Sequence, residues 1–88
     1  MVYEIRLHRS IEKTLAAIDA KTRRRIREVI DGLAAEPRPP GVKKLAGRDD
    51  AYRIRVGSYR VLYKIVDSQL LIYVIAVDHR SRVYRESR

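Results

Sequence analysis

Residues 51–66 constrain the fold of this chain more than any other part of the sequence. Apolar and polar residues alternate on both sides of Gly57 and Ser58. A glycine followed by a small polar residue between two such runs predicts an antiparallel hairpin with a two-residue turn of type II′. The predicted register pairs Val56 with Tyr59, Arg55 with Arg60, Ile54 with Val61 and Arg53 with Leu62.

The two faces of this predicted hairpin differ in chemistry because side chains alternate along a strand with a period of two. One face is apolar and carries Tyr52, Ile54, Val56, Tyr59, Val61 and Tyr63. The other carries Arg53, Arg55 and Arg60 and no carboxylate of the hairpin, and we call this side of the sheet the arginine face. Like charges set opposite each other destabilise a sheet, so the arrangement indicates an anionic ligand. The alternative is a solvated face whose guanidinium groups are screened by water and salt.

Composition excludes several function classes. A chain of 88 residues supplies a single domain, residues 1–88, with one modest core. It has no cysteine, and His8 and His79 are too few for a metal cluster, so we expect any catalysis to need neither metal nor cofactor. No apolar run approaches the ~20 residues of a membrane span, and the start lacks an apolar signal core. We therefore expect a cytoplasmic protein that does not enter a membrane.

The strongly positive charge narrows the choice of partner. The formal net charge is +9 and the isoelectric point is near 10.4, values typical of proteins that bind nucleic acid, anionic lipid or an acidic protein. Arginine outnumbers lysine, and its planar fork suits bidentate phosphate contacts and stacking on bases. This preference favours nucleic acid.

The residues before the hairpin predict one strand and two helices. Alternation over residues 2–8 predicts a half-buried strand. Ser10 is expected to cap a short helix, and a second helix is expected from about Lys21 to Glu36, where the following prolines end it. Apolar stripes on the two helices, which can cover one face of a sheet, comprise Ile11, Leu15 and Ile18 and then Ile26, Val29, Ile30 and Leu33.

Two further groups of basic residues lie outside the hairpin. They are Arg23, Arg24, Arg25 and Arg27 on the outer side of the second helix, and Lys43 and Lys44 in the proline-rich connection. The helical group would suit the backbone of a large polyanion, but such a run is equally typical of a solvated helix face. The two lysines add positive charge beside the arginine face.

The last predicted strand, residues 69–77, is apolar on both faces, which is typical of a central strand. Tyr73 on its outer face is expected to serve packing, with base stacking as the alternative. His8 is expected to be an ordinary polar residue. Residues 79–88 add four arginines and Tyr84 beside the arginine face, unless they form a disordered basic tail.

At this point the chain resembles a known family over essentially its whole length. The segments that carry the resemblance are residues 43–47, the strand pair from Tyr52 to Tyr63, and Asp78-His-Arg-Ser-Arg-Val-Tyr84. They resemble the RelE/ParE superfamily of bacterial toxin-antitoxin toxins. The resemblance implies an α+β fold of the microbial RNase-like RelE type, in the order β-α-α-β-β-β, with a helical hairpin on one face of a mainly antiparallel four-stranded sheet.

The resemblance also implies a function. Members of the RelE branch cleave messenger RNA in the ribosomal A site, whereas members of the ParE branch poison DNA gyrase and lack the C-terminal catalytic tyrosine. Tyr84 therefore favours a ribosome-dependent endoribonuclease that inhibits translation. A non-enzymatic gyrase poison is the alternative, and a plain RNA-binding module is a third reading.

By resemblance, catalytic roles fall on the arginine face and the C-terminal segment. Arg53 and Arg55 take the places of two basic residues, often lysines, that contact RNA and help to activate the nucleophile. Arg60 matches the phosphate-binding arginine, Arg80 the arginine near the leaving group, and Tyr84 the tyrosine that stacks on or activates the nucleotide. An arginine holds its proton too firmly to act as a base, so a general-base role at 53 or 55 is in doubt. We add His79 as a second acid-base candidate because histidine ordinarily titrates near neutral pH.

The remaining expectations concern binding. Residues expected to contact RNA are Lys43, Lys44, Arg23, Arg24, Arg25 and Arg82. The expected partners are the ribosome with messenger RNA in its A site and a cognate antitoxin protein. Charge complementarity predicts that an acidic antitoxin segment covers the arginine face.

Overall fold

The computed structural model describes residues 2–47 and 50–79 and has a five-stranded sheet with two helices on one face. The strands are β1 (Glu4–Leu7), β2 (Lys43–Lys44), β3 (Ala51–Val56), β4 (Tyr59–Val66) and β5 (Leu71–His79), and the helices are α1 (Ser10–Ala16) and α2 (Ala20–Gly32). The sheet order is β1-β5-β4-β3-β2, with β1 parallel to β5 and all other neighbours antiparallel.

The predicted α+β class and element order are confirmed, with one strand more than expected. The additional strand is β2, in which Lys43 pairs with Arg53 and Lys44 with Tyr52. A strand of two residues is too short to show an alternating pattern, so it could not be predicted from periodicity. Residues 67–69 form a short 3₁₀ helix, which turns the chain from β4 into β5.

The central hairpin has the predicted register at all four pairs. Gly57 has a φ of 62°, whereas Ser58 has no positive φ, and this combination matches the expected type II′ turn. Glycine is needed at the first turn position because other residues adopt such a φ only at a cost. The hairpin therefore presents its apolar face to the helices, as the alternation predicts.

Both helices pack their predicted stripes onto that apolar face. The best-buried core residues are Ile11, Leu15, Ile26 and Leu33 from the helices and Val61, Tyr63, Ile72 and Val74 from the sheet. Within residues 2–47 and 50–79, no helix is both long and apolar enough to cross a membrane.

The helix ends differ from the predicted ones. The expected capping role of Ser10 is wrong, because Arg9 occupies the N-cap position of α1 and makes no side-chain cap. Instead, the Ser10 backbone N–H donates to His8 Nδ1 at 3.1 Å. Helix α2 is capped by Asp19, whose carboxylate accepts from the Thr22 backbone N–H at 3.0 Å, and it ends at Gly32, before the expected Glu36.

Strand β5 departs from strict alternation. Leu62 pairs with Ala76 but the next residue, Tyr63, pairs with Val74, so Ile75 is an extra residue in β5. Strict alternation from Ile72 and Val74 would place Ala76 on the core face, but Val77, which is 3% exposed, takes that place. Every side chain after the bulge changes face relative to the predicted pattern.

Candidate functional site

The bulge in β5 brings a carboxylate onto the arginine face. Arg60 on β4 lies opposite Arg55 on β3 and, on its other side, opposite Asp78 on β5. Residues directly opposite in a sheet have Cβ atoms about 5 Å apart and point to the same side. The structure thus places a row of two cations and one anion across three strands. Sequence reasoning missed Asp78 because nothing in the pattern of β5 marks the bulge.

Arg60 is the most enclosed member of this row, with 7% of its surface exposed, whereas Arg55 is exposed. A charge in such surroundings acts more strongly than one in bulk water, because the effective dielectric is lower. The Arg55 Nε donates to the Gly57 carbonyl at 3.1 Å, which holds that side chain toward the turn. Arg60 therefore lies at the base of the arginine face and Arg55 at its open edge.

A second row continues the positive charge. Arg53 is half-buried and lies between Leu62 on β4 and Lys43 on β2, so the structure brings Lys43 onto the arginine face. Lys44 pairs with Tyr52 and lies on the opposite, helix-bearing side. Of the two lysines predicted to lie beside the arginine face, only Lys43 is on it.

The four arginines of α2 divide into two pairs. The Arg23 Nη1 donates to the carbonyls of Leu15 and Ile18, at 3.3 and 3.1 Å, and so ties α2 to the end of α1. Arg27 joins the helices again through an ion pair of 2.6 Å with Glu12, and this hydrogen bond lowers the pKa of the Glu12 carboxyl.

The other two arginines, Arg24 and Arg25, are exposed. The Arg25 Nη1 lies 4.0 Å from the position that a Cβ on Gly57 would occupy, so this side chain reaches the hairpin turn. Sequence periodicity places all four arginines on one outward side, but it does not show which of them have intramolecular partners.

The two histidines occupy separate positions. His79 pairs with Tyr59 at the end of β5, and their rings meet edge to face with centroids 5.3 Å apart. His8 Nδ1 lies 2.8 Å from the Ser10 Oγ and its ring is 6.5 Å from that of Tyr73. The expectation that His8 is a satisfied polar residue agrees with these contacts. The expected site residues Arg80, Arg82 and Tyr84 lie outside the described residues.

The opposite end of the sheet holds a cluster that the sequence did not reveal. It comprises Tyr3, Arg38, Tyr52, Tyr63 and Asp67, and we call it the proline-loop cluster. Arg38 donates to Asp67 at 2.9 Å and to the Tyr52 hydroxyl at 3.2 Å, and Tyr3 donates to Asp67 at 2.6 Å. The Arg38 hydrogen bond lowers the pKa of Asp67, and the Asp67 hydrogen bond raises the pKa of Tyr3.

Tyr63 completes this cluster from within the core. Its side chain is fully buried, and its hydroxyl donates to the Pro37 carbonyl at 2.7 Å. Burial raises its pKa to about 12. The cluster thus fixes the proline-rich loop to the sheet, and every polar atom named in it has a partner.

Within residues 2–47 and 50–79, no group of three or more acidic or histidine side chains is arranged to hold a metal ion. The chemistry that the described part of the site offers is concentrated positive charge on a rigid sheet. Such charge can hold a phosphodiester and stabilise negative charge that develops on it.

Comparison with known proteins decides the family. The family described as ParE toxin of type II toxin-antitoxin system, parDE, matches residues 5–84. The chain belongs to the RelE/ParE toxin superfamily. Its relatives make it a RelE-like member, so the predicted family and branch are confirmed.

Three relatives illustrate the similarity. The toxin RelG of Mycobacterium tuberculosis is 33% identical over 90% of this chain and 83% of its own length. The mRNA interferase toxin RelE of Escherichia coli K12 is 40% identical over half of each chain. The toxin in the archaeal RelE-RelB complex of Pyrococcus horikoshii is 33% identical, with a TM-score of 0.83 over 93% of this chain and 99% of that chain. This RelE-like chain is thus a toxin of the toxin-antitoxin class.

Proposed function

We propose that this RelE-like toxin is a metal-independent endoribonuclease that cleaves messenger RNA in the ribosomal A site and so inhibits translation in the cytoplasm. The observation that carries the proposal is the position of Arg60, enclosed at the base of the arginine face with Arg55 opposite it and Arg53 two residues along β3. Preorganised cations of this kind stabilise developing charge without reorganising during the reaction.

The proposed reaction is attack of a ribose 2′-hydroxyl on the adjacent phosphorus. The 2′-hydroxyl gives its proton to a general base as its oxygen bonds to phosphorus and a 2′,3′-cyclic phosphate forms. The bond from phosphorus to the 5′-oxygen breaks, and the 5′-oxygen takes up a proton from a general acid. Arg60 and Arg55 stabilise the extra charge on the phosphorane. Removing one such donor typically raises the barrier by about 3 to 4 kcal/mol.

Proton transfer is assigned to residues near the end of β5. We propose Tyr84 as the group that activates or stacks on the nucleotide and Arg80 as the cation beside the leaving oxygen, both by similarity to the RelE branch. His79 is the second acid-base candidate. Arginine at positions 53 and 55 restricts those residues to charge stabilisation and RNA contact, since neither can readily accept a proton.

The names of relatives support this proposal. One relative is an mRNA interferase toxin RelE, and a similar solved toxin is bound to RelB. We propose accordingly that a cognate antitoxin neutralises this chain by laying an acidic segment across the arginine face. We propose further that Lys43, Arg24, Arg25 and Arg82 contact the RNA backbone on the ribosome.

The test uses purified ribosomes programmed with a defined messenger and stalled with an empty A site. Wild-type protein should cut the A-site codon, with new ends mapped by primer extension, in a buffer whose Mg²⁺ keeps the ribosomes assembled. Tyr84→Phe should cleave about 10² to 10⁴ times more slowly if the hydroxyl carries the proton. Cleavage by Phe but not by Ala would assign stacking to Tyr84. Intact messenger with bound wild-type toxin would refute the proposal.

A second candidate function follows from the description of the matching family as a ParE toxin. In that case the chain would poison DNA gyrase through protein contacts, without cutting RNA. A supercoiling assay with purified gyrase separates the two candidates. Inhibited supercoiling together with uncut A-site messenger would favour the gyrase poison, whereas cut messenger with normal supercoiling favours the endoribonuclease.

A further inference from the structure

The tip of the β3-β4 hairpin gathers two arginines from different elements around one residue. Arg55 reaches Gly57 from the arginine face and donates to its carbonyl at 3.1 Å. Arg25 reaches the same residue from α2, with Nη1 4.0 Å from the position of a Cβ on Gly57. Covalent geometry then places the two guanidinium groups within about 10 Å of each other.

Both arginines at the tip are exposed, as are Gly57 and Ser58. In the described ranges, 2–47 and 50–79, the ion pairs involve Arg6, Arg27, Arg38 and Lys64, and neither Arg25 nor Arg55 joins a carboxylate. The Debye length is about 8 Å at physiological salt, so two like charges at about that separation are only partly screened and still repel each other. An anion bound between them would relieve that repulsion.

We propose that Arg25 and Arg55, at the exposed turn of Gly57 and Ser58, form a second phosphate-binding subsite, which holds a backbone phosphate of single-stranded RNA next to the scissile one. The proposal rests on the proposed endoribonuclease function for the identity of the strand. Arg55 contributes to both the arginine face and this subsite, because its backbone pairs with that of Arg60 while its side chain turns toward the tip. The RNA strand would therefore leave the arginine face over the hairpin turn, toward α2.

This subsite explains a difference between neighbouring residues of α2. Arg23 and Arg27 are committed to α1, and Arg25 extends to the turn of a hairpin that is distant in sequence. The interaction does not depend on base identity, because a phosphate and two guanidinium groups carry no sequence information. The subsite would position the strand and would not select a codon.

The experiment measures binding of a short fluorescent 2′-O-methyl RNA, which cannot be cleaved because its nucleophile is blocked, by anisotropy across a series of salt concentrations. Arg25→Ala and Arg55→Ala should each weaken binding and lower the slope of log K against log salt by up to about 0.7, the value for one phosphate of a single strand. The double variant should lower it by about the same amount, because both arginines contact one phosphate.

Each matched control makes the same change in charge at an exposed position outside the subsite. Arg9→Ala removes an exposed arginine from the segment before α1 and should leave the slope near that of wild type. Ser58→Glu puts a carboxylate into the subsite and should weaken binding as Arg25→Ala does. Ser68→Glu makes the same charge change in an exposed turn at the other end of β4 and should have less effect.

The outcomes separate this subsite from the proposed function. Equal slopes for Arg25→Ala and Arg9→Ala, equal effects of the two glutamates, or no measurable RNA binding by wild type would each overturn the subsite. Ribosomal cleavage by wild type is measured in parallel. If wild type cleaves messenger but Arg25→Ala and Arg9→Ala have equal salt slopes, the proposed function is supported and the subsite is not. If the salt slopes are as expected but messenger stays intact, the subsite is supported and the proposed function is not.

Discussion

Arginine has different surroundings at the two ends of the hairpin strands. In the proline-loop cluster, Arg38 is held by Asp67 and by the Tyr52 hydroxyl, and its guanidinium also lies 5.3 Å from the centre of the Tyr52 ring. At the turn, Arg25 and Arg55 have no such carboxylate among the described residues. The first arrangement satisfies the cation within the fold, and the second leaves positive charge available to a ligand.

The largest effect is expected from exchanging arginine for lysine at each end. Arg60→Lys keeps the charge but loses the planar fork, so ribosomal cleavage should fall by about 10² to 10³-fold. Arg38→Lys should lower the melting temperature and leave cleavage near wild type, because its contacts are internal. Cleavage assays and thermal denaturation of both variants check this. Similar losses of activity in both would remove the distinction between the two ends.

The next largest effect is a difference in stability and in ribosome binding between variants of two adjacent arginines of α2. Arg23→Ala removes donors to two carbonyls at the end of α1 and should lower the unfolding free energy by about 1 to 2 kcal/mol. Arg24→Ala changes an exposed helical position and should leave stability nearly unchanged. On ribosomes the order should reverse, with Arg24→Ala showing the weaker, less salt-dependent binding. Urea denaturation and ribosome pelleting measure the two quantities. A stability loss for Arg24→Ala equal to that for Arg23→Ala would contradict the assignment.

The two ends of the hairpin strands also differ in how much of their structure can be predicted from the sequence. Alternation and the Gly57-Ser58 turn predicted the hairpin register and both of its faces, because each depends on neighbouring residues along the chain. The bulge at Ile75 and the partners of Arg23 depend on tertiary packing, and no local pattern encodes them. Asp78 therefore escaped notice as a neighbour of Arg60, although it follows the predicted strand directly. The roles of Arg80 and Tyr84 rest on resemblance and stay predictions.

A smaller effect is expected from the buried tyrosine of the proline-loop cluster. Tyr63→Phe retains the ring in the core and removes only the hydroxyl, which donates to the Pro37 carbonyl. The unfolding free energy should fall by about 1 kcal/mol, the usual net value of one hydrogen bond. Cleavage should stay at the wild-type rate, since the cluster lies at the far end of β4 from the turn. A loss of cleavage without a loss of stability would show that the two ends are coupled.

The smallest effect concerns pH and Asp67. Its hydrogen bond from Arg38 lowers its pKa in the folded protein below the ordinary value of about 3.9. A depressed pKa contributes stability that is complete above the unfolded value and is lost as pH falls through the folded one. Asp67→Asn retains an acceptor for Tyr3 and Arg38 but carries no charge. Wild type should therefore be more stable than Asp67→Asn at neutral pH, and the two melting temperatures should converge as the pH falls below about 4.

The control is Arg9→Ala, measured in parallel, whose melting temperature should keep a constant offset from that of wild type over the same pH range. A difference between wild type and Asp67→Asn that persists unchanged into strong acid would mean that the charge of Asp67 contributes nothing to holding Arg38.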